Sequence, residues 1–291
     1  MDDSLKLSNP KVTIATLQKY GFTIQKKFGQ NFLIDSHVIR KIIAAAEIEK
    51  DDIVVEIGPG MGTLTQYLAE AAGKVYAVEI DKALIPILED TLSEYDNVKI
   101  INDDILKVDI NSLVAGTDQK KLKIVANLPY YITTPIIMGT LEKNVNVSDM
   151  VVMVQKEVAE RMDASPGTKD YGALSLAVQY RAETYLAANV PPNSFIPRPG
   201  VGSAVIRLRI YDEPKVKVKN EKLMFSLIKA SFGERRKTLQ NGISNYQELS
   251  FTKDEVAAAL REMGLDERIR GEKLTLSEFA MLSDILDAQL N

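Results

Sequence analysis

Asn127, Leu128, Pro129 and Tyr130 stand in succession and combine the groups needed to handle an aromatic amine. The exocyclic amine of adenine is a poor nucleophile because its lone pair is delocalised into the ring. The Asn127 side-chain oxygen and the Leu128 backbone carbonyl are two acceptors that can hold its N–H groups and favour a pyramidal nitrogen. They would also stabilise the positive charge that develops as a methyl group arrives. Pro129 fixes the turn, and Tyr130 offers a face on which a base can stack. No general base is required, because the methylated nitrogen is cationic and its proton acidic. With a methyl donor that carries a good leaving group, alignment does most of the catalysis. An ordinary Asn-Pro turn at a strand end has the same residues, so the weight of this reading comes from what lies upstream.

Upstream is the run Glu56-Ile57-Gly58-Pro59-Gly60-Met61-Gly62-Thr63. Gly58 and Gly60 let the backbone turn tightly and pass close to a ligand. A dinucleotide fingerprint places its third glycine three positions after the second; that position is Thr63, and the glycine falls at Gly62, which disfavours NAD. Glu56 projects a carboxylate just before the turn, where it can hold an amino-acid ammonium directly or through water. Glu79 closes the next apolar run and can accept both hydroxyls of a ribose. Asp104 follows the run after that and can accept a hydrogen bond from an adenine amine. Alone, Glu79 or Asp104 reads as a turn or cap residue. Together with the glycines they describe a pocket for an adenosine that carries an amino acid rather than a diphosphate.

These residues need a scaffold that brings several strand ends to one place. Short β-branched runs at 53–57, 75–80, 98–102, 122–126 and 150–154 alternate with amphipathic helices such as 64–72 and 83–92. That alternation predicts a Rossmann-like, doubly wound and mostly parallel sheet, with ligand at the carboxyl ends of its strands. A helix over 173–181 and strands over 185–190 and 203–210 complete seven strands. Beyond 211–214 the pattern turns helical, with helices expected at 223–231, 235–244, 253–263 and 276–290 and with Thr252 and Thr275 as N-caps. The expected domains are therefore 1–212, including a basic N-terminal extension over 1–30, and a smaller all-helical domain over 213–291.

Composition narrows the chemistry. The 291 residues include no cysteine and one histidine, His37. Thiolate metal sites and disulfides are excluded, zinc nearly so, and no metal is expected. His37 is expected at a helix surface or cap. The N-terminus is acidic without the apolar core of a signal peptide, and no run approaches a membrane span, so the chain is expected to be soluble and cytoplasmic. The formal net charge of -4 hides a separation of signs. Lys11, Lys19, Lys26 and Lys27 make the first thirty residues basic, Lys215 to Lys237 form a denser basic stretch, and acids concentrate at 248–287. Such separation can build a positive face for nucleic acid on an acidic protein.

With these residues in view, the chain resembles the ribosomal RNA adenine N6,N6-dimethyltransferases of the small-subunit type. The likeness runs through Phe28-Gly29-Gln30-Asn31-Phe32-Leu33, the glycine loop, 127–131, Val154-Gln155-Lys156-Glu157 to Arg161, and Tyr171-Gly172. It continues through Phe195-Ile196-Pro197-Arg198-Pro199 and Arg235-Arg236-Lys237-Thr238-Leu239. The resemblance implies S-adenosylmethionine as methyl donor, contacted by Asn31, Leu33, Gly58, Glu79, Asp104 and Asn127. It implies that Phe195 sandwiches the target base with Tyr130. It also implies transfer of two methyl groups to each of two adjacent adenines near the 3′ end of 16S rRNA, within a small-subunit assembly intermediate, by a monomer. Arg235, Arg236 and Lys237, with Lys26 and Lys27 at the entrance, would meet phosphate and give salt-dependent affinity without reading sequence. Two other functions fit a similar pattern: the large-subunit methyltransferases of macrolide resistance, and non-catalytic RNA-binding assembly or transcription factors on the same fold.

Overall fold

A computed structural model describes residues 3–25, 29–115, 121–142 and 145–290. The strands are β1 (Phe32–Leu33), β2 (Ile53–Ile57), β3 (Lys74–Glu79), β4 (Val98–Asn102), β5 (Leu122–Asn127), β6 (Val147–Gln155), β7 (Ala182–Val190), β8 (Phe195–Ile196) and β9 (Ser203–Ile210). The helices are α1 (Pro10–Lys19), α2 (Ser36–Ala46), α3 (Thr63–Ala71), α4 (Ile85–Thr91), α5 (Thr133–Glu142), α6 (Lys156–Met162) and α7 (Ala173–Arg181). They continue with α8 (Glu221–Gly233), α9 (Leu239–Ser244), α10 (Lys253–Glu262) and α11 (Leu276–Asp287).

Seven strands form one sheet in the order β4-β3-β2-β5-β6-β9-β7. The neighbours from β4 to β6 are parallel, and β9 runs antiparallel to β6. Parallel strands buried on both faces read as continuous apolar runs; β2 is the purest case, Ile-Val-Val-Glu-Ile with every residue buried. The one acid in that strand, Glu56, is therefore an anomaly that the fold must explain. In α2 the apolar side chains Val38, Ile39, Ile42 and Ala46 fall on one stripe and are buried. Asp35 caps this helix, accepting from the backbone N–H groups of His37 and Val38. His37 itself is exposed.

Register brings the chemistry together. Glu79 at the end of β3 pairs with Asn102 at the end of β4, and Asn127 at the end of β5 pairs with Met153 of β6. Because these strands run parallel, Ile57, Glu79, Asn102 and Asn127 all lie at the carboxyl edge of the sheet, where a doubly wound fold places its ligand.

The chain divides into two compact units, Met1–Ala159 with Glu183–Ile210, and Glu160–Ala182 with Tyr211–Asn291. This differs from the expected split, which left 160–182 in the first domain. Periodicity cannot show which core a helix joins; here Tyr171, Leu176 and Tyr180 are buried in one cluster with Met224, Leu227, Leu260 and Phe279. The helical unit is well terminated. Thr252 and Thr275 each cap a helix by accepting from the backbone N–H of Glu255 and Glu278, whose carboxylates accept in return from the threonine backbone N–H groups. A second difference lies at 235–238, expected to open a helix: those residues form a turn and bend, and α9 starts at Leu239. The helix expected over 83–92 is a short 3-10 turn that passes into α4.

Candidate active site

One pocket is walled by the segment 29–33, the glycine loop, the ends of β3 and β5 and the turns that follow them. Gly58, Gly60 and Gly62 have φ of 67°, 63° and 94°. These are left-handed values that glycine adopts without strain. At Gly60 the requirement is also one of space, since a Cβ there would stand 3.2 Å from the Phe32 ring.

Glu56 is 2% exposed, lines this pocket, and has one carboxylate oxygen, Oε2, with no hydrogen-bond partner among the described residues. Burial pushes its carboxyl up to about 8, against the lowering effect of the neighbouring Thr65 hydroxyl and with a smaller push from the charge of Glu79. Glu79 is fixed at both oxygens: Gly60 N–H donates at 3.2 Å and Asp81 N–H at 2.8 Å. Burial raises its pKa as well, against the lowering effect of those donors. Asp104 accepts from Leu106 N–H through Oδ1 at 3.0 Å and is partly buried at the rim. Asp103 and Ile105 line the pocket on either side of it. The pocket is thus acidic, and among the described residues no lysine or arginine lines it.

At the end of β5, the Asn127 side-chain N–H donates to the Asn31 backbone carbonyl at 3.1 Å. That bond settles which end of the amide faces the pocket. Asn127 Oδ1 and the Leu128 carbonyl accept no hydrogen bond among the described residues, while Leu128 N–H is held by the Met153 carbonyl at 3.1 Å. The Pro129 carbonyl accepts from Ile132 N–H at 3.2 Å and from the Thr133 hydroxyl at 3.1 Å, tying the turn to the start of α5. Tyr130 is half-buried, and its hydroxyl meets Ser203 Oγ at 2.7 Å.

The structure therefore brings Asn31, Leu33, Glu56, Gly58, Gly60, Glu79, Asp104, Asn127, Leu128, Pro129 and Tyr130 to one pocket. It does not bring Phe195 there. Phe195 is 2% exposed and packs among Leu33, Val38, Ile39 and Val205 in the sheet's core cluster. β8 pairs with β1 in the register that sets Phe195 opposite Leu33, and of that pair only Leu33 lines the pocket. Arg235 departs from expectation too: its guanidinium donates to Glu272 at 2.9 Å and to the Thr168 carbonyl at 3.0 Å, so it braces the helical unit from within. Arg236 and Lys237 are exposed and make no ion pair among the described residues. Lys26 and Lys27 lie outside the described residues.

Several pocket residues escaped the sequence reading. Gln30 donates to Asp81 Oδ2 at 2.8 Å and accepts from Gln25 N–H at 2.8 Å, linking the N-terminal segment to the Glu79 loop; nothing in the sequence joins positions 51 apart. Ile80, 48% exposed directly after an acid at a strand end, was a usable signal for an apolar wall beside a ligand. Tyr131, the residue after the tetrad, is 58% exposed at the pocket's edge. Among the described residues no group of acids or histidines is arranged to hold a metal, and no helix is long and apolar enough to cross a membrane.

A parallel sheet closed by an antiparallel β9, a glycine loop after its central strand and acids at the next two strand ends define a Rossmann-like methyltransferase. The ribosomal RNA adenine dimethylase family matches residues 21–287, and the chain belongs to that family. The chain is 63% identical over 286 residues to the ribosomal RNA small subunit methyltransferase A of Lachnoclostridium phytofermentans, covering 98% of this chain and 99% of the relative. Its counterpart of the same name in Clostridioides difficile is 52% identical over 98% of this chain and 99% of its own. Among solved structures, a dimethyladenosine transferase from Plasmodium falciparum aligns with TM-score 0.71 and 28% identity, covering 89% of this chain and 98% of its own. The 23S rRNA methyltransferase ErmE aligns with TM-score 0.68 and 28% identity, covering 88% and 100%.

Proposed function

We infer that this chain is a 16S rRNA adenine N6,N6-dimethyltransferase that uses S-adenosylmethionine and acts on two adjacent adenines in the 3′-terminal hairpin of the small-subunit RNA. The observation that carries the chemistry is the orientation of Asn127. With its N–H spent on Asn31, its free oxygen and the free Leu128 carbonyl form a pair of acceptors beside an acidic pocket.

The residues present fit the cofactor. The unpartnered Glu56 oxygen is a buried acceptor that a cationic ammonium would satisfy. Glu79, held at both oxygens by backbone donors, accepts the ribose hydroxyls. Asp104 accepts the adenine amine, and Ile80 and Ile105 supply apolar walls for its ring. The cofactor contributes an electrophilic methyl group on a sulfonium. Asn127 and Leu128 then hold the two N–H groups of the target amine, favour a pyramidal nitrogen and stabilise its charge as the new bond forms. After the first transfer one N–H remains to be held, so the same pair can serve a second. Tyr130 provides the stacking face for a base taken out of its helix.

Fold alone does not choose the RNA, since a dimethyladenosine transferase and a 23S rRNA methyltransferase align almost equally well. Relatives at 63% and 52% identity over nearly the whole chain favour the small subunit. The intact acceptor pair argues against a purely non-catalytic RNA-binding role. The deciding experiment supplies labelled S-adenosylmethionine with unmethylated small subunits and maps methylated RNA by mass. Label in two adjacent adenines of the 3′-terminal hairpin is expected; label in naked large-subunit RNA instead would transfer the assignment to the macrolide-resistance type.

A further inference from the structure

We propose that Ser203 is a positioning residue for methyl transfer, holding the Tyr130 ring at the angle on which the target base stacks; this rests on the reading of Tyr130 as that stacking face. Ser203 is the first residue of β9 and is 1% exposed, with its Oγ 2.7 Å from the Tyr130 hydroxyl. It pairs with Gln155, the last residue of β6, so its backbone belongs to the sheet. The two residues are 73 positions apart, and only the antiparallel return of β9 brings them together.

A tyrosine side chain has two rotatable bonds between backbone and ring, and a stacked base needs both fixed. At Tyr130 the near end is fixed by the Pro129 carbonyl, which accepts from Ile132 N–H and the Thr133 hydroxyl. The far end is fixed by Ser203. A hydrogen bond at the para position acts on the longest lever for swing about the Cα–Cβ bond, and because the phenolic O–H prefers the ring plane, the direction of the bond also biases the tilt of that plane. The demand for such a constraint is high here, because Phe195, the other aromatic expected to flank the base, is in the core. One face must set the orientation that two faces would otherwise share. Small errors in alignment weigh heavily when alignment is the main source of rate.

Ser203 touches neither the base nor the cofactor in this arrangement, so its effect should appear in turnover and not in cofactor binding. The test compares Ser203→Ala, Ser203→Thr, Tyr130→Phe, Tyr130→Ala and the double variant Ser203→Ala with Tyr130→Phe. All are assayed as full-length protein on unmethylated small subunits, with S-adenosylmethionine affinity measured by calorimetry. Ser203→Ala and Tyr130→Phe should each lower kcat about five- to tenfold, the worth of one hydrogen bond. The double variant should be no slower than either single one, since both remove the same contact. Ser203→Thr should restore most of the rate, and cofactor affinity should stay constant throughout. Additive losses, a loss of cofactor affinity, or a fully active Ser203→Ala beside an inactive Tyr130→Ala would overturn the positioning role alone. A fully active Tyr130→Ala would remove the stacking role and this inference with it.

Discussion

The pocket at the carboxyl edge of the sheet and the helical unit treat polar groups in opposite ways. In the helical unit, polar atoms find partners inside the fold. Tyr171 donates to the Leu274 carbonyl at 2.8 Å, Arg181 is paired with Glu221, Arg235 with Glu272, and α10 and α11 begin with reciprocal capping boxes. Among the described residues, buried side-chain atoms without partners are Thr65 Oγ1 and Tyr95 Oη, in the first unit but outside the pocket lining, and Glu56 Oε2, which lines the pocket. Unpaired acceptors at Asn127 and Leu128 lie there as well. An unmade hydrogen bond in a buried place costs stability; keeping several at one pocket makes sense where a ligand completes them. The contrast teaches where function and stability separate in this chain, and each substitution below tests one side of it.

The largest effect belongs to Asn127→Ala, which removes one of the two amine acceptors. Turnover should fall about 100- to 1000-fold, the usual cost of losing one preorganised group at a developing charge. RNA binding should be largely spared, which a filter-binding assay alongside the rate measurement would verify. Equal turnover would mean that the unpaired oxygen is not kept for substrate.

Glu56→Gln probes the cost of the buried acid. Glu56 has a folded pKa near 8, above its ordinary value. From the ordinary carboxylate range up to about 8 the unfolded chain gives up this proton while the folded chain keeps it. Stability of the ligand-free protein should therefore decline as pH rises through that window and level off above it. The amide abolishes the dependence and should stabilise the ligand-free protein at pH 7 by about 2–3 kcal/mol, while S-adenosylmethionine binds more weakly. Denaturant melts at pH 5, 7 and 8.5, with and without cofactor, separate the two consequences.

Phe195→Leu is expected to cost about 1 kcal/mol of stability through lost core packing and to leave turnover of the folded enzyme near its original level. A large loss of rate at unchanged stability would instead return Phe195 to the base-binding role. Thr275→Ala breaks the capping box of α11 and should lower stability by about 1 kcal/mol with no change in rate, as chemical denaturation would register.

The smallest effect can break the contrast from the other side. Replacing Arg236 and Lys237 by Ala should leave stability alone, weaken binding to small-subunit RNA, and shrink the salt slope of that binding by about 1–2. Arg235→Ala should do the reverse, because its guanidinium is engaged within the unit. If all three behaved alike, the helical unit would not separate bracing from RNA contact.

Much of the site was legible because strand-end chemistry is local. Gly58, Gly60, Glu79 and Asp104 sit where apolar runs stop, and periodicity alone places each at the same edge of a parallel sheet. The count of seven strands follows the same logic, whereas their order is set by pairing in the fold; Thr252 and Thr275 announce their helices within four residues. Phe195 was misplaced because a phenylalanine before a proline turn reads identically whether it faces a pocket or a core. Arg235 was misplaced because a basic run does not disclose that Glu272 waits 37 positions later.

The sequence by itself determined the fold class, the place of the glycine turn after β2 and the place of the tetrad at the end of β5, since these depend on residue type, spacing of a few positions and the period of burial. Tertiary structure alone decided which oxygen of the tetrad remains free, through Asn31 and Asn127. It alone joined Gln30 to Asp81 and Ser203 to Tyr130, and it assigned 160–182 to the helical core. The physical reason is common to all of these. Hydrogen-bond partners and core membership are set by side chains that meet across tens of residues, and local pattern carries no information about such meetings.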